Sequence, residues 1–115
     1  VPLAPHAIPL PPGCPARFLV TAHGTLFAGR EVHLQALREG DRLLLAADSP
    51  GSSRPEVWIH REDGELLGHV PPGVAEWLAP WLAGGGAAVG RVVRIRGEEA
   101  PSYRRLVMEV ICGEG

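Results

Sequence analysis

The stretch that decides the fold reads Asp63-Gly64-Glu65-Leu66-Leu67-Gly68-His69-Val70-Pro71-Pro72-Gly73-Val74-Ala75-Glu76-Trp77-Leu78-Ala79-Pro80-Trp81-Leu82. Asp63-Gly64 predicts a hairpin turn, because glycine supplies the positive φ that a tight turn needs. Leu66 to Val70 follows as a strand, and Pro-Pro-Gly predicts a sharp corner. Apolar residues spaced three and four apart then predict an amphipathic helix whose stripe faces the core. They are Val74, Trp77, Leu78, Trp81 and Leu82.

This helix contains a proline and is followed by three glycines. Pro80 lacks the N–H that would bond the Glu76 carbonyl, so a kink or a break is expected there. The helix is expected to end at residues 84–86, which are all glycine. Trp77 and Trp81 keep helical spacing and are therefore assigned to the core.

Short strands are predicted on both sides of this stretch. Residues 30–36 alternate, with Val32, Leu34 and Ala36 on one side, which is typical of a half-buried strand. Residues 42–47 are apolar enough for a strand buried on both faces. The other predicted strands are 17–23, 56–60, 89–96 and 103–111. Such strands, separated by Gly- and Pro-containing turns, predict a mainly β fold. We expect a small six- to seven-stranded antiparallel barrel of OB or SH3 type, with one or two short helices inserted late in the chain.

Length and composition limit the classes of protein. A chain of 115 residues is expected to form one domain, here a proline-rich arm over 1–16 and a barrel over 17–115. The net charge of −2 excludes a strongly basic body, so a nucleic-acid role must depend on a local patch. No apolar run reaches the roughly 18–20 residues of a membrane span, and no signal-peptide pattern is present. A cytoplasmic protein without a membrane partner is expected.

Motifs for catalysis are absent from the sequence. There is no lysine, which excludes a P-loop, and no HExxH, GxSxG or CxxC motif. The carboxylates lie mostly in predicted turns, where nothing shields a general acid–base pair. We therefore expect a non-enzymatic protein with no cofactor, no metal site and no small-molecule substrate. Cys14 and Cys112 are expected to be free thiols, with a disulfide as the alternative if the first and last strands are neighbours.

Three features suggest binding instead. His60 and His69 flank one predicted hairpin and are expected to approach each other across it. Trp58 lies on the polar side of its strand, where it is either a stacking platform for a single strand or is covered by the helix or the arm. A cluster of arginines is either a phosphate track or a solvated strand face. Its members are Arg91, Arg94, Arg96, Arg104 and Arg105.

Several segments, taken in order, resemble the HIRAN domain. They are Gly24-Thr25-Leu26-Phe27-Ala28-Gly29, Gly40-Asp41 before Arg42-Leu43-Leu44-Leu45, Asp63-Gly64, Leu67-Gly68-His69-Val70-Pro71, and the helix from Ala75 to Leu82. The match covers about Arg17 to Val110. The chain resembles a stand-alone bacterial member of this family, which is otherwise fused to repair helicase-like translocases. The resemblance implies a modified OB-type barrel that binds single-stranded DNA at its 3′ end.

The resemblance also implies binding residues. Phe27 matches an aromatic residue of the DNA-end pocket, and His69 matches a position beside it. Trp58 is added as a second stacking residue. Arg30, Arg54 and Arg61 are added as local positive charge. These six residues are the candidate nucleic-acid-binding site.

One loop departs from the family. Residues 50–56 read Pro-Gly-Ser-Ser-Arg-Pro-Glu, whereas the family has approximately Asn-Pro-Tyr-Asp-x-Asn-Ala. The stacking tyrosine and its polar neighbours are therefore missing, and Leu26 replaces one of two paired aromatics. Two functions stay open: a non-catalytic module that binds nucleic acid, and a protein-interaction or regulatory module that has kept the fold and lost the DNA-end pocket.

Overall fold

One curled antiparallel sheet forms the body of the molecule. The computed structural model describes residues 9–26, 29–48 and 55–113. Within them the chain forms six strands, two α-helices and one 3-10 turn. In order these are β1 (Arg17–Thr21), α1 (Arg30–Gln35), β2 (Arg42–Ala47), β3 (Val57–Arg61), β4 (Leu66–His69), α2 (Pro72–Ala83), β5 (Ala88–Ile95), the 3-10 turn (Ser102–Arg104) and β6 (Leu106–Cys112).

The strands follow the order β1-β6-β5-β2-β3-β4, and each pairs antiparallel with its neighbour. The last strand of the chain, β6, thus lies inside the sheet between β1 and β5. The two edge strands also meet, because His23, just after β1, forms an isolated bridge with His69 at the end of β4. The sheet is a curled half-barrel whose edges join at this point, which confirms the predicted fold class.

The core lies on the concave side of the sheet. Residues of β3 alternate, with Val57 and Ile59 fully buried and Trp58 and His60 partly exposed, as the sequence predicts. Helix α2 covers the core with Ala75, Leu78, Ala79 and Trp81. Burying one Leu or Ile side chain contributes about 1.5–3 kcal/mol. The same alternation leaves Trp58 on the outer face, where it is available for a surface site.

Helix α1 corrects the strand predicted over residues 30–36. Leu34 and Leu37 are both buried, while Val32 is 65% exposed. In a strand, two residues three positions apart face opposite sides of the sheet; in a helix they share one face. Leu37 lies just past the end of α1, and its N–H donates to the Leu34 carbonyl oxygen at 3.1 Å, so the last turn of the helix brings both leucines to the core. The exposed Val32 shows that the alternation in the sequence did not mark a buried strand face.

Strand β2 is also less buried than expected. Leu43 is fully buried, but Leu44 and Leu45 are only partly so, and Ala46 is exposed. The prediction of burial on both faces is therefore wrong. The reason is that helix α2 packs against the inner face of the half-barrel and leaves the outer face to solvent.

Helix α2 runs unbroken through Pro80, so the predicted break is wrong, while the alternative of a kink stays a prediction. Pro80 and Glu76 are both exposed, and a carbonyl on the solvent side of a helix can bond water instead. The core assignment of the two tryptophans is confirmed. Trp81 is buried and its Nε1 donates to the Pro9 carbonyl oxygen at 3.2 Å, while Trp77 packs against Phe18 at 5.6 Å between ring centroids.

The described part of the N-terminal arm contacts the body at both of its ends. Leu10 packs against the core, and the Cys112 N–H donates to the Ala16 carbonyl oxygen at 2.7 Å. Cys14 and Cys112 are both free thiols, so the alternative of a disulfide is not realised. Burial raises the pKa of the Cys112 thiol, and the neighbouring Cys14 raises it further. Over the described ranges, no helix is long and apolar enough to cross a membrane.

Candidate nucleic-acid interface

Four aromatic rings contact one another where the two edges of the sheet meet. The contacts run in the order Tyr103, His23, His69 and Trp58, with centroid separations of 6.5, 5.9 and 5.7 Å. All three contacts are edge-on, the geometry that aromatic pairs prefer over a face-to-face sandwich. We call these four residues the aromatic row.

Backbone hydrogen bonds fix the middle of the aromatic row. The His23 N–H donates to the His69 carbonyl oxygen at 2.8 Å, and the His69 N–H donates to the His23 carbonyl oxygen at 3.0 Å. Gly68 makes this approach possible. A Cβ at that position would meet the His23 carbonyl oxygen well inside the 3.0 Å that real Cβ atoms keep. The sequence Gly68-His69 thus places one ring of the row at the point of closure.

A buried threonine positions the Tyr103 end. Thr25 is fully buried, and its hydroxyl donates to the Ser102 carbonyl oxygen at 2.8 Å. This bond ties the loop after β1 to the 3-10 turn, which brings Tyr103 beside His23. Tyr103 is 49% exposed, so about half of its surface is open to a ligand.

A hydrogen bond and a strand register position the Trp58 end. The Trp58 Nε1 donates to Asp48 Oδ1 at 2.7 Å, which fixes the plane of the indole. Across the β3–β4 pair, Trp58 lies opposite His69. Trp58 is partly buried, and the side chain over its ring is Arg30 of α1. Trp58 is thus neither a fully exposed stacking platform nor a fully covered side chain, the two alternatives that the sequence left open.

An arginine caps each end of the aromatic row. The Arg30 guanidinium carbon lies 5.7 Å from the Trp58 ring centroid, and Arg30 Nη1 donates to the Gly24 carbonyl oxygen at 3.1 Å. The Arg104 guanidinium carbon lies 5.7 Å from the Tyr103 ring centroid. Both separations are within the range of a cation–π interaction. The aromatic row therefore carries one positively charged side chain at each end.

His23 gives the row a charge that depends on pH. Burial lowers the pKa of His23 below its ordinary value, and the positive charge of His69 lowers it further. His69 Nδ1 lies 3.1 Å from the Val70 carbonyl oxygen, so a proton on Nδ1 makes a hydrogen bond there. Acidification adds positive charge in the middle of the row, between the two arginines.

The structure brings together half of the residues predicted from the sequence. Arg30, Trp58 and His69 are members or neighbours of the aromatic row. Arg61 is not, because it lies three positions after Trp58, at the end of β3. There it forms an ion pair with Asp63 at 3.0 Å. Phe27 and Arg54 lie outside the described residues.

The expected approach of His60 to His69 is wrong. His60 lies opposite Leu66, and its Nδ1 is 3.2 Å from the Gly64 carbonyl oxygen. The strands pair about the turn at residues 62–64, so His60, close to the turn, lies opposite Leu66, whereas His69, further from the turn, lies opposite Trp58. Both histidines flank the hairpin in the sequence, but they stand at different distances from its turn.

Sequence reasoning missed Tyr103 and gave His23 no place in the binding site. Tyr103 is the single tyrosine of the chain and precedes Arg104-Arg105 in a turn, a signal that could have identified it. The predicted arginine cluster is divided. Arg104 joins the row, whereas Arg105 donates to the Ala100 carbonyl oxygen at 2.9 Å and lies 3.9 Å from Glu31.

A groove of about 410 Å³ lies beside the aromatic row and shares His69 with it. We call it the acidic groove, because two carboxylates are among its lining side chains. Its lining consists of Pro55, Glu56, His69, Val70, Pro72, Gly73, Ala75 and Glu76. Apart from His69 and the two glutamates, these residues are apolar, so the groove differs in chemistry from the row.

Fold and surface together define a small curled β domain with an aromatic, arginine-capped surface. Within the described ranges, no three His, Cys, Asp or Glu side chains are arranged to hold a metal ion. The chain matches no family model, no curated protein and no solved structure. The resemblance to the HIRAN domain therefore stays a prediction.

Proposed function

We propose that this domain is a non-catalytic module that binds single-stranded nucleic acid along the aromatic row. The observation that carries the proposal is the half-exposed ring of Tyr103, in contact with His23 and flanked by Arg104. Bases stack on such rings regardless of sequence, at about 1–3 kcal/mol each. Arginine adds cation–π contacts and meets phosphate in a bidentate manner.

Each member of the surface has a distinct role in this proposal. Tyr103 and Trp58 stack bases, and His69 and His23 contact sugar or phosphate. Arg30 and Arg104 neutralise phosphates near the two ends. A domain with a net charge of −2 has no general attraction for nucleic acid, so affinity depends on this local set.

The resemblance to the HIRAN domain makes the proposal more specific. We propose that the ligand is single-stranded DNA, that its 3′ end is recognised, and that the context is DNA repair in the cytoplasm. Free thiols at Cys14 and Cys112 support a reducing compartment.

Fluorescence anisotropy tests the proposal, using the whole chain and a labelled strand of about 12 nucleotides, within the site sizes of single-strand binders. We expect micromolar affinity that weakens as salt rises, because bound phosphates release counterions. Tyr103→Ala is expected to weaken binding about tenfold or more, since one stacked base is lost. Leu19→Ala removes a 63% exposed side chain of β1 outside the row and is expected to bind like the wild type.

Two results would contradict the proposal: no binding at low salt, or equal affinity of the wild type and Tyr103→Ala. A strand whose 3′ hydroxyl is replaced by phosphate tests the specific form. Weaker binding of that strand supports end recognition. Equal binding of both strands retains general single-strand binding and removes the 3′-end proposal.

A further inference from the structure

The acidic groove has a chemistry that nucleic acid does not match. Val70 and Ala75 form an apolar floor but are almost completely buried, so most of the apolar surface open to a ligand belongs to the walls. Pro55 and Pro72 add apolar walls, and Glu56 and Glu76 add negative charge at the rim. Two carboxylates repel a phosphate backbone. The occupant of the groove must therefore differ from the ligand proposed for the aromatic row.

The first turn of the helix that borders the groove directs two of its amides inward. Helix α2 begins at Pro72, and the N–H groups of Val74 and Ala75 both donate to the Pro71 carbonyl oxygen at 3.0 Å. These amides are thus turned into the helix and not towards an anion. Proline at the first helical position has no N–H to offer.

Among the described residues, neither carboxylate takes part in an ion pair. The ion pairs of the described residues are Arg17–Glu109, His33–Glu65, Arg42–Glu62, Arg61–Asp63 and Arg105–Glu31. None of them includes Glu56 or Glu76. A ligand with a positive group would supply the missing charge, and the apolar walls would bury a neighbouring hydrophobic group.

We propose that the acidic groove binds an extended peptide segment of a partner protein that presents arginine or lysine beside an apolar side chain. The apolar side chain packs against the exposed walls formed by Pro55 and Pro72, and the cation meets Glu56 and Glu76. A cavity of about 410 Å³ lies within the usual range for binding sites, about 300–1,000 Å³. The charge of the groove selects this occupant over nucleic acid or an anionic lipid surface. This site does not depend on the function proposed for the row.

NMR titration of the ¹⁵N-labelled whole chain tests the proposal with two probe peptides of equal length. One alternates arginine with leucine, and the other alternates glutamate with leucine. We expect the arginine peptide to shift the amides of Val70, Gly73 and Ala75 with a dissociation constant below about 1 mM. The glutamate peptide is expected to leave them unchanged. Added salt is expected to weaken the arginine peptide, because rim charges are screened.

A variant pair locates the interaction. The double variant Glu56→Gln/Glu76→Gln keeps the shape of the groove and is expected to bind the arginine peptide at least fivefold more weakly. Glu98→Gln removes an exposed carboxylate from a distant turn and is expected to bind like the wild type. The double variant is also expected to bind the labelled strand at least as tightly as the wild type, since two negative charges beside the row are removed, so a failure of either proposal is recognised separately.

Three results would overturn the proposal. The first is that neither peptide shifts the groove amides at millimolar concentration. The second is that both peptides shift them equally. The third is that the shifts lie on the aromatic row at His23 and Tyr103, which would make the row the peptide site.

Discussion

At the scale of single residues, His23 links acidity to the stability of the fold. Burial and the charge of His69 hold the pKa of His23 below its ordinary value near 6.5. The folded protein therefore binds this proton more weakly than the unfolded chain does. The stability that follows is fully present above pH 6.5. It is lost as the pH falls from there through the lower pKa of the folded state.

This gives a prediction for His23→Gln. We expect the urea concentration at the unfolding midpoint of the wild type to decrease as the pH is lowered from about 7.5 to about 5.5. Most carboxylates stay ionised over this range. The variant should have a flatter profile over the same range, because glutamine does not titrate. His60→Gln changes a histidine of the same sheet outside the row and is the matched control. If the urea midpoint of His23→Gln depends on pH as steeply as that of the wild type, a group other than His23 causes the loss of stability in acid.

At the scale of elements, helix α1 gives a second prediction. Val32 is 65% exposed and Leu34 is 2% exposed on the same short helix. Val32→Ala is expected to raise the free energy of unfolding by up to about 0.5 kcal/mol, because alanine is the better helix former. Leu34→Ala is expected to lower it by about 2–5 kcal/mol, since a core cavity is created. Urea unfolding measures both, and a large loss in Val32→Ala would contradict the helix.

The elements also show what the sequence can predict. The hairpin before β4, helix α2 and the strands with clear alternation follow from local patterns, as at Val57 and Ile59. Helix α1 was missed because a six-residue segment is too short to separate a period of two from a helical period. The contact of His23 with His69, and that of Thr25 with Ser102, join residues far apart in the chain. Local patterns predicted Trp58 and His69 but could not show that Tyr103 joins them.

At the scale of the whole molecule, closure of the sheet depends on a glycine. Gly68→Ala would push a methyl group against the His23 carbonyl oxygen. We expect a loss of about 1–3 kcal/mol, the usual cost of overpacking, together with weaker strand binding as His69 moves away from His23. Gly73→Ala is the matched control, because nothing lies within 4 Å of a Cβ there. Equal urea midpoints for the two variants would contradict the importance of closure.

The position of β6 inside the sheet has a consequence for the nascent chain. β1 pairs with β6, and the Arg17 side chain of β1 donates to Glu109 of β6, 92 positions further along the chain. At about 5–20 residues per second, a ribosome needs roughly 5–18 s to make the residues between them. Throughout that interval the strand carrying Phe18 and Val20 has no partner in β6, and chaperones can reach it. The time needed for translation therefore sets how long β1 remains unpaired with β6.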